Sequence, residues 1–363
     1  MKSPVIPVLA SLWLAFSAAV FSSCSHSRTT SDAGIEIPFD RFKEVSAGSP
    51  AEVYQVEAER YSIPLEVEVQ AALGDMTKAV MRNGKLYLVG ENRNTLVVLP
   101  MDGGDCAILA HHGRGPGEYL SITDFDVDND ENIWIVDGVK DLLLQYSAQM
   151  EFVGDRSCEF DANKIKCLPN GGFAFQVASW DRSAYSGSQL VFTDAAGTVL
   201  TTALQYPDNK DRNIEFYSSM SASGNGFFYN EPIDDHVYQM SENGTVQTVW
   251  HFDFGSATVP ETWKSDIESH YDKIRNECRF VMNAFGVNGA DGRFITCGIR
   301  HRSVSPAVFD RERSTVAYFR NHQLLGCNEA GTIWLDCETS EILFYPLLRQ
   351  RKADRSQADL PAR

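Results

Sequence analysis

The stretch Asn83-Gly-Lys-Leu-Tyr-Leu88 joins a turn dipeptide to a run of alternating apolar residues. Asn-Gly readily takes the positive φ angles of a two-residue hairpin turn, and the aromatic and branched residues beside it suit a pleated surface. The same shape returns at Glu131-Asn-Ile-Trp-Ile135, Asn170-Gly-Gly-Phe-Ala-Phe175 and Asn225-Gly-Phe-Phe-Tyr229. It appears twice more, at Asp291-Gly-Arg-Phe-Ile295 and Ala330-Gly-Thr-Ile-Trp-Leu335.

A third strand-like run follows most copies, as in Leu142–Tyr146, His236–Met240 and Glu341–Tyr345, and a fourth often comes after it, as in Val246–Trp250 and Val316–Phe319. Four short strands in a unit of roughly 40 residues is the pattern of a propeller blade. Six copies predict an all-β, six-bladed β-propeller over residues 51–346. Two stacked β-sandwiches would explain many strands but not the regular turn-plus-aromatic copies. The sixth unit runs out after Tyr345 without a fourth strand, while Val53-Tyr-Gln-Val-Glu-Ala-Glu59 alternates and has no unit of its own. This N-terminal segment is expected to supply the missing outer strand and close the ring, leaving no open edge.

The 363 residues carry a formal charge of −17 and are 43% hydrophobic, which allows a large core and argues against a nucleic-acid partner. Lys2 precedes an uncharged apolar run from Val5 to Phe21, and small residues lead to Cys24. A charged start, a short apolar core and a small-residue break make residues 1–23 a secretory signal. The placement of Cys24 resembles a bacterial lipobox, which implies cleavage before it, a lipid on its thiol and a location on the cell envelope. Residues 24–50 are expected to be a flexible tether and 347–363 a polar tail. The other seven cysteines are an odd number without a CxxC pair, so free thiols are expected rather than a disulfide framework or zinc site.

His111-His-Gly-Arg-Gly-Pro-Gly-Glu-Tyr119 falls between the fourth strand of blade one and the first of blade two. Its glycines and proline predict a rigid crossing loop, with Arg114 and Glu118 able to pair. A strand rather than a helix follows, and no lysine is present, which excludes a phosphate loop. Adjacent His111 and His112 make a poor metal pair. Asp126-Val-Asp-Asn-Asp130 has the first spacings of a calcium loop but lacks its glycine and final glutamate, so it is read as an acidic hairpin turn.

Phe125-Asp-Val-Asp128 and Ile133-Trp-Ile-Val-Asp137, with the preceding GRGPGEY, resemble the bacterial six-bladed β-propeller lipoproteins, relatives of NHL-repeat propellers. The resemblance implies the fold and an envelope location, and brings no catalytic residue. One helix is predicted between blades four and five, over Val259–Cys278, with a capping box at Thr258–Glu261 and an apolar stripe of Trp263, Ile267, Tyr271, Ile274 and Cys278.

Crossing loops and the loops between second and third strands share one face of a propeller. Candidate ligand contacts there are Arg114, Glu118, Tyr119, Trp180, Arg182, Arg300, His301 and Arg302, the last three forming the densest cation cluster. They suit an anionic small molecule, a glycan or a peptide. No catalytic constellation, cofactor motif or metal-ligand spacing emerges. The leading expectation is a binding or scaffold propeller for a small ligand, glycan or envelope protein. The alternative is a metal- or acid/base-dependent lyase or hydrolase at the axial mouth, where several histidines or carboxylates would then converge.

Overall fold

A computed structural model describes residues 34–62, 73–206, 220–224, 226–230, 233–289, 292–328 and 330–346. The expected signal segment, Cys24 and the expected C-terminal tail lie outside the described residues.

Three strands precede the first blade: β1 (Gly34–Pro38), β2 (Lys43–Glu44) and β3 (Glu59–Ser62). Blade one is β4 (Met76–Arg82), β5 (Lys85–Gly90), β6 (Leu96–Pro100) and β7 (Ala107–Leu109). Blade two is β8 (Asp124–Val127), β9 (Ile133–Asp137), β10 (Leu142–Tyr146) and β11 (Phe152–Ser157). Blade three is β12 (Ala162–Cys167), β13 (Phe173–Val177), β14 (Ser188–Thr193) and β15 (Val199–Gln205). Blade four is β16 (Met220–Ser223), β17 (Gly226–Asn230), β18 (His236–Ser241) and β19 (Val246–Asp253). Blade five is β20 (Phe280–Asn288), β21 (Phe294–His301), β22 (Ser303–Asp310) and β23 (Thr315–Tyr318). Blade six is β24 (His322–Cys327), β25 (Gly331–Asp336) and β26 (Glu341–Pro346), completed by β3.

Second strands such as β9, β13 and β17 are buried along their whole length, whereas outer β11 is mostly exposed. Each blade packs both faces against neighbours, so the middle of the sheet has no wet side. The apolar residues sort into one core per blade junction. Tyr87 and Val98 meet Phe125 and Ile135 between blades one and two, and Leu86 and Leu99 meet Leu325 and Phe344 between blades one and six. Burial of this kind contributes about 25 cal/mol per Å² of apolar surface, and the six junctions hold the ring.

The closing strand is shifted from its expected position. Residues 50–54 form a short helix, α1 (Pro50–Tyr54), not a strand, and β3 at 59–62 pairs antiparallel with β26, Tyr61 opposite Ile342. Ser49 in extended conformation followed by Pro50 starts a helix more readily than a strand. Tyr54 is buried against Phe294 and Tyr345. Its hydroxyl lies 2.8 Å from Thr296 Oγ1, so the helix plugs the junction of blades five and six.

Residues 34–50, expected within the flexible tether, are built onto the ring instead. β1 pairs parallel with β19 and β2 parallel with β23, adding a fifth strand to blades four and five. The N-terminal segment thus runs as a belt over blades four, five and six. Ile37 sinks into the core between blades four and five, which fixes the belt to that junction.

The insertion between blades four and five is helical but divided, into α2 (Glu261–Lys264) and α3 (Ile267–Glu277). The expected capping box is not formed. Asp266 caps α3 by accepting the Ser269 N–H at 3.3 Å, which explains the break at Ser265. Ile267, Ile274 and Cys278 are buried as expected, while Tyr271 is exposed. The seven cysteines within the described residues are free.

Candidate functional site

The first strands of blades one, two, three, four and six line an axial cavity of about 830 Å³. Its lining carries five cations, Lys78, Arg82, Arg93, Lys164 and Lys166, against three carboxylates, Glu91, Asp124 and Asp126. A cationic interior in a chain of charge −17 reverses the sign of the whole molecule at one place.

Part of that charge is structural. The inner edge of a blade leaves backbone N–H groups without a strand to pair with, and side chains of the neighbouring blade satisfy them. Asp124 Oδ2 accepts from Ile165 N at 2.9 Å and Asp126 Oδ2 from Cys167 N at 2.8 Å, stitching blade two to blade three. Ser221 Oγ likewise accepts from Phe285 N at 3.1 Å.

Lys78 Nζ donates to both oxygens of Asp124 and to Phe125 O at 2.9, 3.0 and 2.6 Å, using all three of its hydrogens. Lys166 Nζ lies 2.9 Å from Asp126 Oδ2. Burial pushes the Asp126 carboxyl up, but the Lys166 and Lys78 ammoniums and the hydrogen bonds outweigh it and hold it below the ordinary carboxylate range. Asp126 Oδ1 faces no donor although the residue is 1% exposed. That oxygen is covered by its surroundings, so it is part of the wall rather than of the open cavity.

The expected acidic hairpin turn is present just beyond. Asp128 accepts from Asp130 N, Asn132 N and Trp134 Nε1, closing the β8–β9 turn with its own carboxylate.

The crossing loop of the GRGPGEY stretch is a packed bend. Glu118 turns inward and accepts from Gly115 N at 2.6 Å rather than pairing with Arg114, which is exposed. A Cβ at Gly113 would sit 2.0 Å from the Glu118 carboxylate, and Gly117 has φ +71 with Phe152 against it. Tyr119 is fully buried, its hydroxyl 3.0 Å from the carbonyls of Asn94 and Leu109, so it has no surface to offer a ligand. His111 packs on Tyr146 instead of joining His112.

Trp180 and Arg182 are exposed in the loop between β13 and β14. Arg300, His301 and Arg302 occupy the tight β21–β22 hairpin. His301 Nδ1 lies 3.3 Å from Cys278 O, and Arg302 N donates to Arg275 O, so this hairpin is tied to α3. None of the eight expected contact residues lines the axial cavity, and neither do α2 and α3. Glu91 and Arg93, in the loop between β5 and β6, do line it.

His111, His112, His236 and His301 do not converge. Among the described residues, the one group of metal-ligating side chains is Asp235, His236 and His251, within 4.8 Å of one another. It lies on the third and fourth strands of blade four, away from the axis. Sequence reasoning passed over His251 because only the β18–β19 register places it opposite His236.

Among the described residues no helix is long and apolar enough to cross a membrane. The sequence matches no curated protein. A Bacteroides fragilis protein described as exported is similar in structure, with a TM-score of 0.63 at 16% identity, over 86% of this chain and 98% of that one. An inactive virginiamycin B lyase from Staphylococcus aureus with quinupristin has a TM-score of 0.47 at 10% identity, over 80% of this chain and 99% of its own. A family model described as a 6-bladed beta-propeller matches residues 48–283, more than half of the sequence, and the chain belongs to that family.

Proposed function

We propose that the protein is an exported propeller, anchored by a lipid on Cys24, that binds an anionic small molecule carrying hydroxyls, of which an acidic sugar is the simplest case. The observation that supports this reading is the sign of the axial cavity, five cations facing three carboxylates inside an acidic protein. Cations in a concave, partly dry site attract a carboxylate more strongly than the same groups in open solvent. Lys78 is held by Asp124 and Phe125, Arg82 by Asn129 and the Val127 carbonyl, and Lys166 by Asp126, so these cations are fixed in place on the cavity wall beside Arg93 and Lys164. Thr77, Asn83 and Gln323 add polar side chains to the same lining, which suits a ligand that carries hydroxyls. The exposed Trp180 and Arg182 are the surface at which a longer glycan or an envelope protein would be met.

The test is a binding titration with glucuronate and galacturonate beside glucose and galactose. The acids are expected to bind and the neutral sugars not, and Lys164→Glu is expected to reduce binding at least tenfold. Equal response to acid and neutral sugars, or an unaffected Lys164→Glu variant, overturns the anion reading. Loss of lipid labelling in Cys24→Ala tests the anchor separately.

A further inference from the structure

We infer that Asp235, His236 and His251 form a zinc site on the outer half of blade four, with Glu36 orienting one of its histidines. The site follows from strand register. His236 on β18 stands directly opposite His251 on β19, and His251 stands opposite Glu36 on β1. Register partners point to the same side of a sheet, so three neighbouring strands present three such side chains in one row.

The two imidazoles stack with ring centres 4.5 Å apart and planes 16° from parallel. Asp235 reaches both of them, Oδ1 lying 2.8 Å from His236 Nδ1 and Oδ2 lying 3.4 Å from His251 Nε2. Ligand atoms of a tetrahedral zinc with bonds of about 2.0–2.1 Å are separated by roughly 3.3 Å, so the second spacing already matches an edge of that tetrahedron. The far nitrogen of His251, Nδ1, lies 2.7 Å from Glu36 Oε2. A carboxylate on the outer nitrogen of a histidine fixes its tautomer and raises the basicity of the inner nitrogen, as in carboxylate–histidine–zinc arrangements.

The surroundings suit a divalent cation. Asp234 Oδ1 lies 2.7 Å from His236 Nδ1, and its Oδ2 accepts from Lys264 Nζ of α2 at 3.1 Å. Glu261 also lies 2.6 Å from Lys264 Nζ, so four carboxylates face one lysine and two histidines, and a cation between the rings relieves the excess negative charge. Asp235 is nearly buried while both histidines are about one-third exposed, which leaves an approach and an open coordination position. Mixed nitrogen and carboxylate donors without thiolate favour zinc over calcium or magnesium. Bound there, the metal links β18, β19 and, through Glu36, the first strand of the belt.

The experiment uses the full-length chain, stripped with a chelator and titrated with Zn²⁺ by calorimetry, with bound metal counted by atomic emission. One zinc per chain is expected. His251→Ala is expected to weaken binding by more than about 100-fold and Glu36→Ala by about 10- to 100-fold. A His111→Ala/His112→Ala variant, altered only at exposed histidines, is expected to bind as the parent does. Absence of saturable binding, or unchanged binding in both His251→Ala and Asp235→Asn, overturns the site. Glu36 is exposed on the belt, so its variant reads the site even where His251→Ala folds poorly.

Discussion

Blades one to three and blades four to six solve the same problem differently. In the first half every outer strand follows its neighbours in the chain, and β7, β11 and β15 end their own blades. Irregular register between Gln145 and Tyr146 and between Phe192 and Thr193 interrupts the outermost ladders, a device that keeps free edges from pairing with other chains. In the second half the outermost strand is always borrowed. The belt donates β1, β2 and β3 from more than 200 residues away, as in Gly34 opposite Val249. The first half is therefore local, and the second half needs the chain's beginning before it is complete. Late, distant pairings carry a loop-closure cost, so the belt is expected to form after blades one to three.

The largest expected effect comes from removing the belt. A chain lacking residues 34–62 loses the outer strand of blade six and the Tyr54 plug, and its thermal unfolding by circular dichroism should lose its single cooperative transition. Tyr54→Ala sharpens the contrast. It should cost about 3–5 kcal/mol in urea unfolding, as truncation of a buried aromatic does, whereas Val153→Ala on the exposed outer strand of blade two should stay within about 0.5 kcal/mol.

Next comes the stitch inside the local half. Lys166→Met leaves the Asp126 carboxylate buried without its partner, at a cost of about 3–5 kcal/mol by the same measurement. A smaller loss, about 1–3 kcal/mol, is expected for Gly117→Ala. Its φ of +71 and the nearby Phe152 ring both oppose a side chain.

The mildest effect is that of pH, and it should be shared by the two halves. Asp126 in blade two and Asp310 in blade five are each pushed up by burial and pulled further down by their cationic partners, Lys166 and Lys78 for the one and Arg293 for the other. Carboxyls held below their unfolded value of about 3.9 stabilise the fold above that pH, and the contribution fades as pH falls through the folded values. The contribution of these two carboxyls to the urea midpoint should therefore be constant from neutral pH to about 5 and fall below about 4, with a shallower fall in Lys166→Met.

The two halves also differed in how far they were legible. Each blade is a set of local hairpins, so turn dipeptides and aromatic runs revealed all six, and counting strands revealed that the last lacked one. What closed it was harder to place. Val53 and Val56 mimic a strand, yet Ser49-Pro50 begins a helix there, and the pairing strand lies at Glu59–Ser62. Gly34-Ile-Glu-Ile-Pro38 is too short to announce itself, and its pairing with the legible strand β19 is invisible without the fold. The same reason hid the axial wall. Asp126 and Lys166 belong to different first strands, and only the ring decides that both face the axis. The loop charges were visible as charges, but Tyr119 and Glu118 proved to be holding the crossing loop itself.

The cavity exists only if the ring is shut, so its closure is the point to measure. Native-state amide exchange compares β3 with β26, whose residues pair from Glu59 with Phe344 to Ser62 with Glu341. A closed ring predicts that the paired amides of both strands exchange together, at the free energy of global unfolding. Exchange of residues 59–62 orders of magnitude faster than that of 341–344 would contradict it.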